Sequence, residues 1–357
     1  MNATPTISVV IETLNATPES NIEPQDVLDR LAEQTYPKEK LESIVVVDEA
    51  NTEPAAFGPP PDDTVDHPRL SVIVVSCNAE DTIGRCLSAL RNQETDEDYE
   101  VILVDSSDDD ATANVARRFP EVLLYRFSDR KFPGHARNLG IARARGEILA
   151  FTDADCISDR SWVGEILRAH DGPYPVIGGT IDNGNPESYV GWAYYFCELS
   201  QWMPGTPAGP MIDIPTGCLS TKRWAFEKYG PFLEGTYSSD TAFNWRLAED
   251  GHLPEFVPSI RVAHINETNL VNYLRKKVFH GKCFASVRVK EQRFSRHKRF
   301  CFGASSFVLP FLLTYRTVRN VLRRGRYIPK FALSFPFVFL GLTAWSYGEM
   351  LGYLRRP

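Results

Sequence analysis

Apolar residues in this chain gather in short unbroken runs that end on a polar residue. Leu70-Ser-Val-Ile-Val-Val75, Glu100-Val-Ile-Leu-Val104, Val122-Leu-Leu-Tyr-Arg126 and Ile148-Leu-Ala-Phe-Thr152 are four of them. Runs of Val, Ile and Leu without alternation predict strands buried on both faces of a parallel sheet. Between the runs, apolar positions return at helical spacing over Thr82–Arg91, Ala111–Arg118 and Ala136–Ala144. Strand and helix in alternation predict an α/β fold with helices on both faces of a mostly parallel sheet. Such sheets bind ligands beyond the carboxyl ends of their strands. Asn78, Asp105, Asp153 and Asp155 all fall just past a strand end, so they are expected along one edge of one sheet.

The pattern is partly repeated. Ile7-Ser-Val-Val-Ile-Glu-Thr-Leu-Asn15 resembles Leu70-Ser-Val-Ile-Val-Val-Ser-Cys-Asn78. A helical pattern follows each (Val27–Gln34 and Ile83–Gln93), then a strand ending in Val-Asp (Ile44–Asp48 and Val101–Asp105). Residues 1–52 are therefore expected to be a partial copy of the β-α-β unit that opens the main domain. Residues 53–68, rich in Pro and Asp, are expected to be a linker. The main domain is placed at 69–290 and a basic, apolar helical region at 291–357. The stretch from Val176 to His264 is less regular. It holds a Gly178-Gly179 turn, an aromatic run, a Thr216-Gly217-Cys218 turn and a helical pattern over Ser239–Glu249.

Charge alters this picture more than composition does. The net charge is -7, but from Arg275 to the C-terminus there are 18 Lys and Arg against two acids, Glu291 and Glu349, a net of 18 - 2 = +16. The remainder then carries -7 - 16 = -23. An acidic body with a basic tail speaks against a nucleic-acid groove and for one end that meets anionic lipid. The seven cysteines are scattered, odd in number and without a Cys-x-x-Cys pair, which disfavours a disulfide framework or a zinc site. Met1–Asn15 lacks a basic stretch ahead of its short apolar run, unlike a signal peptide.

Asp153 and Asp155 are the sharpest chemical signal. Two carboxylates one residue apart at a strand end offer hard oxygen ligands to Mg²⁺ or Mn²⁺, with substrate phosphates completing the shell. Asp105 ends its own strand ahead of Ser106-Ser-Asp-Asp-Asp110 and could accept hydrogen bonds from a nucleobase or ribose. The first strand leads into Ser76-Cys-Asn-Ala-Glu-Asp81 instead of Gly-x-Gly-x-x-Gly, which disfavours a nicotinamide oxidoreductase.

Four segments, Ser71–Glu80, Val104–Thr112, Gly134-His-Ala-Arg-Asn-Leu-Gly140 and Ala144-Arg-Gly-Glu-Ile-Leu-Ala-Phe-Thr-Asp-Ala-Asp155, resemble in order the family-2 glycosyltransferases. The resemblance covers roughly residues 69 to 270 and implies the GT-A fold. It further implies that Ser76, Asn78, Glu80 and Asp105 hold the nucleoside, with Arg137 and Asn138 near the nucleotide. Asp153 and Asp155 would bind the metal and diphosphate. Val75-Ser76-Cys77-Asn78 departs from the family's Pro-x-Tyr-Asn at the position that stacks on the base. Ser239-Asp240-Thr-Ala-Phe-Asn-Trp-Arg246-Leu247 resembles the family's acidic helix start, with Ser in place of Glu, and implies Asp240 as general base. By the same resemblance, Gly217 lets backbone approach the sugar and His264 adds a metal ligand. Arg275, Lys276 and Lys277 are candidates to clamp the diphosphate, and Arg246 is expected to be a scaffold ion-pair partner. The Gln-x-x-Arg-Trp motif of processive polymer synthases is absent.

The expected activity is transfer of a single sugar, with inversion, from a nucleotide-diphospho-sugar to a hydroxyl acceptor, lipid-linked or a nascent glycan. The cofactor would be a divalent metal (Mg or Mn). The alternative is a membrane-tethered pseudoenzyme that binds nucleotide-sugar without turnover. Phe300–Tyr315 and Phe331–Gly348 are uncharged runs of 16 and 18 residues, separated by six basic residues from Arg316 to Lys330. A spanning hairpin would carry that basic loop across the membrane, against the positive-inside tendency. The expectation is an in-plane or re-entrant attachment at the cytoplasmic face of the cell membrane.

Overall fold

The computed structural model describes residues 67–355, together with the backbones of two strands nearer the N-terminus, β1 (Ile7–Glu12) and β2 (Leu41–Val47). The expected helix over 27–34 and nearly all of the expected linker lie outside the described residues. From Leu70 the elements alternate: β3 (Leu70–Ser76), α1 (Ile83–Arg91), β4 (Tyr99–Asp105), α2 (Ala111–Ala116), β5 (Val122–Phe127), α3 (Pro133–Arg143) and β6 (Ile148–Asp153). The less regular part adds β7 (Cys156–Ser158), α4 (Trp162–His170), β8 (Val176–Asn183), α5 (Tyr189–Leu199) and β9 (Gly209–Pro210). It continues through a single 3-10 turn (Thr216–Cys218), β10 (Leu219–Lys222), α6 (Arg223–Tyr229), α7 (Ser239–Glu249) and β11 (Glu255–His264). Four helices close the chain: α8 (Leu270–Glu291), α9 (Arg296–Ser305), α10 (Leu309–Arg324) and α11 (Ile328–Leu354).

All described strands join one mixed sheet in the order β1-β2-β5-β4-β3-β6-β10-β8-β11-β7, with β9 on β11. From β1 to β6 every pairing is parallel, so β1 and β2 extend the same sheet outward from β5. Direction reverses at β10, antiparallel to both β6 and β8. The strongly apolar runs occupy the centre: every residue of β3 is buried. Burying a Val or Ile fully is worth about 1.5–3 kcal/mol, so Val72, Ile73 and Val74 anchor this strand firmly. In α1, Ile83, Cys86, Leu87 and Leu90 are the buried positions, the i, i+3, i+4, i+7 stripe of a helix packed on a sheet.

Register then fixes the polar edge. Ser76 is the Cα partner of Asp105, Asp105 that of Arg126, and Val75 that of Asp153. The strand ends are level, so the residues that follow them meet at one rim. On the far half of the sheet, β11 runs antiparallel to β7 with His264 opposite Cys156. That pairing returns the chain to Asp155 more than a hundred residues later.

Candidate active site

Asp153 closes β6, and its Oδ1 accepts a hydrogen bond from Arg137 Nη2 at 2.7 Å. Arg137 comes from α3, its side chain 8% exposed against 31% for Asp153. The Arg137 Nε is buried without a protein acceptor among the described residues. It is a donor available to a phosphate oxygen or a water. With Oδ1 engaged, Oδ2 is the free oxygen of Asp153. A Cβ built on Gly217 would stand 3.6 Å from that Oδ2, so the Thr216–Cys218 turn lies directly over it.

Asp155 meets His264, whose Nε2 is 3.5 Å from Asp155 Oδ1. The other ring nitrogen, Nδ1, lies 3.0 Å from Asn266 Oδ1. Asn266 Nδ2 faces three acceptors: Asn183 Oδ1 (2.8 Å), the His264 carbonyl (3.0 Å) and Asn185 Oδ1 (3.4 Å). The amide is thereby oriented with its oxygen toward the imidazole, and Nδ1–H donates to it. Nε2 is left facing Asp155 Oδ1, with room between the two for a shared cation, a proton or a metal ion. A buried asparagine cluster that holds the imidazole by Nδ1 in this way is support of the kind metal-ligating histidines carry. Asp155 and His264 therefore offer a divalent ion two donors within 4.8 Å of each other, with Asp153 two residues upstream at the end of β6. Cys156 Sγ is also near Asp155 and His264. Burial pushes this thiol well up, with Asp155 and Asp153 adding to the effect, and a soft thiol suits Mg²⁺ or Mn²⁺ less well than oxygen donors do. Asp155 is also pushed up, first by burial in the cleft, with His264 opposing and Asp153 reinforcing the shift. Its side chain keeps 41% exposure, so water screens much of that effect.

Asp240 sits in the first turn of α7, half-buried, behind Ser238 in the left-handed region (φ 63°). Its Oδ2 accepts from the backbone N–H of Thr216 (3.3 Å) and from the Thr216 hydroxyl (3.4 Å). Asp240 and Asp153 thus stand at two ends of one Thr216–Gly217 step. Beneath Asp240 lies a carboxylate that sequence reasoning missed. Asp213 Oδ2 accepts from the Thr241 hydroxyl at 3.0 Å and Oδ1 from Asn244 Nδ2 at 2.8 Å. The Thr241 N–H donates to Asp240 Oδ1 at 2.9 Å, so one threonine bridges the two acids. Burial, followed by repulsion from Asp240, pushes Asp213 up to about 7, against its bonds from Asn244 and Thr241.

The nucleoside end is arranged differently from expectation. Asp105 is fully buried and takes hydrogen bonds from Ser76 Oγ (2.7 Å), Ser107 Oγ (2.6 Å) and Arg126 Nε (3.3 Å). Buried and holding these three bonds, it braces the floor of the site. Asn78, with φ 50°, exchanges two hydrogen bonds with Asp108 and ties the β3 and β4 loops together. Asn138 is likewise internal: its amide bonds the Phe232 backbone at both ends and Glu234 Oε1 at 2.9 Å. Glu80 is exposed beside this rim. Two of the expected diphosphate clamps are engaged elsewhere. Lys276 pairs with Glu267 at 2.9 Å, and buried Lys277 pairs with Glu198 beneath His280. Arg246 is the expected scaffold residue, bonding Glu291 and the carbonyls of Tyr229 and Pro231.

A cavity of about 590 Å³ lies at the far ends of α7 and α8, lined by Trp245, Glu249 and Arg293 among others, and contains none of the site residues. The chemistry sits in the open rim of the sheet instead.

A sheet whose strand ends carry an Asp-x-Asp, with an acidic helix start facing it across a glycine turn, is the layout of a nucleotide-sugar transferase domain. Residues 71–227 match Glycosyl transferase family 2. The glycosyltransferase AglE of Haloferax volcanii is 32% identical over 206 residues, 55% of this chain and 67% of that protein. The pre-mycofactocin glycosyltransferase of Mycobacterium tuberculosis is 27% identical over 252 residues, 64% of this chain. The chain spans about half (51%) of the length of this last relative. A mannosyltransferase from Pyrobaculum calidifontis, solved with GDP-Man and Mn²⁺, superposes with a TM-score of 0.53 at 18% identity, over 82% of this chain and 90% of that one. The chain belongs to glycosyl transferase family 2, and its fold is GT-A.

Proposed function

We propose that this protein moves one sugar from a nucleotide-diphospho-sugar to a hydroxyl of a lipid-linked or nascent glycan, with inversion, at the cytoplasmic face of the membrane. The observation that carries the reading is the Thr216–Gly217 step, which joins the acceptor-side acid Asp240 to the donor-side acid Asp153. Asp153, Asp155 and His264 would hold a divalent ion, Mg²⁺ or Mn²⁺, which supplies Lewis-acid stabilisation of the charge growing on the leaving diphosphate. The mannosyltransferase solved with GDP-Man and Mn²⁺ supports both donor class and metal.

Arg137, pinned to Asp153, keeps Nε for a diphosphate oxygen. Gly217, lacking a side chain, leaves room for the sugar beside Asp153. Asp240 takes the proton of the acceptor hydroxyl while that oxygen forms a bond to the anomeric carbon. The bond from that carbon to the diphosphate breaks on the opposite face, which inverts the configuration. Thr216, donating twice to Asp240 Oδ2, aims Oδ1 and Oδ2 and holds the base in place.

The test is a turnover screen across UDP- and GDP-sugars with Mn²⁺ or Mg²⁺. Asp240→Asn is expected to lower turnover by about 10²–10⁴-fold while leaving metal-dependent nucleotide binding unchanged. Undiminished turnover in that variant would remove Asp240 as the base. Nucleotide binding with no turnover of any donor would favour the non-catalytic reading.

A further inference from the structure

We infer that the outer face of α10 and α11 is a docking surface for an anionic lipid bilayer, on which the protein lies in the plane of the membrane without crossing it. By length and composition, α11 alone among the described helices could cross a membrane, and α9 with α10 passes the same criterion only as a pair bent by 68°. The packing of α11 ties it to the domain surface. It lies along α8 backbone to backbone: a Cβ on Gly348 would stand 2.1 Å from the Val278 carbonyl, and one on Gly281 2.2 Å from the Trp345 carbonyl. Helix α8 carries exposed Arg275 and Lys276 and buries Lys277 in the catalytic domain. Hydrocarbon cannot accept those charges, so α11 cannot leave the domain surface to span.

Its outward stripe is nevertheless built for lipid. Ala332, Pro336, Leu340, Thr343 and Tyr347 recur at helical spacing, and all are exposed and uncharged. Phe311 of α10 packs on Phe339 of α11 with ring centroids 5.9 Å apart, so the two helices form one platform. On α10, Phe311 and Tyr315 are each 65% exposed and Leu322 59%. These three share a stripe at about 100° per residue, and Arg316, Arg319 and Arg323 lie along one flank of it. Aromatic and aliphatic side chains beside a row of arginines match the acyl-headgroup boundary of an anionic leaflet.

Charge names the occupant. After Glu291 the chain carries 12 Lys and Arg and one acid, Glu349, which is buried between Trp345 and Tyr353. A second copy of this face would bring like charges together, whereas phosphatidylglycerol or phosphatidylserine headgroups would neutralise them. The docking surface deepens the membrane placement of the proposed function and rests on that reading, while vesicle binding without donor fails or succeeds separately from sugar transfer. The platform is seamed to α8, whose Lys277 stacks over Tyr194, itself stacked on His264 (6.0 Å). Docking would therefore bring the His264 side of the cleft toward the lipid surface.

The experiment is co-sedimentation of the full chain with vesicles of phosphatidylcholine alone or with phosphatidylglycerol, in the absence of donor. Binding is expected on the anionic vesicles and is expected to weaken as salt rises. Arg319→Ala with Arg323→Ala should cost roughly thirtyfold on anionic vesicles, and Phe311→Glu with Leu340→Glu should abolish binding to them. All four side chains are exposed, so circular dichroism and thermal unfolding should match the parent. No binding to anionic vesicles, or equal binding to neutral ones, would overturn the inference. So would resistance to alkaline extraction, which marks a spanning helix. A salt-resistant dimer that Phe311→Glu dissociates, without vesicle binding by the parent, would assign the face to a second copy instead.

Discussion

His264 and Asp213 show how a residue's chemistry depends on partners remote in sequence. His264 is a ligand candidate because Asn266 takes its Nδ1–H, and Asn266 is itself aimed by Asn183 and Asn185. Removing that aim by Asn266→Ala is expected to weaken Mn²⁺ affinity about 10–100-fold, read by calorimetry in the presence of UDP or GDP, with little change in the fold. Asp213 carries the opposite kind of signal. Its carboxyl is raised on folding to about 7, so the folded chain binds that proton more tightly than the unfolded chain. Its contribution to stability is complete below the ordinary carboxylate range and is lost as pH rises through about 7. Asp213→Asn should therefore raise the Tm by about 2–4 °C near pH 8, with the gain shrinking as pH falls through about 7 and gone by about pH 3. A gain that persists at the lower pH would separate Asp213 from the Asp240 charge. Asp153, Asp155 and Asp240 were legible in the chain because each follows or opens a regular element. Asp213, Asn185 and Asn266 were not, since they lie in irregular stretches with no periodicity to mark them.

At the scale of elements, the parallel half was legible almost to the residue. The helical pattern over Ser239–Glu249 and the strand runs from Leu70 onward appear at the expected places, because buried strands and amphipathic helices state themselves by composition. The long C-terminal helix was less so. Its uncharged run suggested a membrane element, but the glycines that seam it to α8 gained meaning only once the two helices were paired. Gly348→Ala places a methyl against the Val278 backbone at 2.1 Å, where no side chain can swing aside. The expected cost is about 1–3 kcal/mol, read by denaturant unfolding, with α11 loosened first and protease sensitivity appearing near its ends. An unchanged midpoint would mean that the seam is not tight.

For the molecule as a whole, the chain divides its labour by charge: an acidic body holds the sheet and its rim, and a basic end covers one side. The sequence alone determined the alternation of strand and helix, the Asp-x-Asp at a strand end, the acid opening α7 and that division of charge. All are local, written in periodicity, strand-end position or residue counts. Only the tertiary structure decided which polar groups are free. It buried Asp105 under Ser76, Ser107 and Arg126 and gave Lys277 to Glu198. It also brought His264 to Asp155 across β7 and β11. Those outcomes rest on strand register and on contacts between residues tens to hundreds of positions apart, and a hydrogen bond once made inside the fold removes a side chain from the ligand's reach.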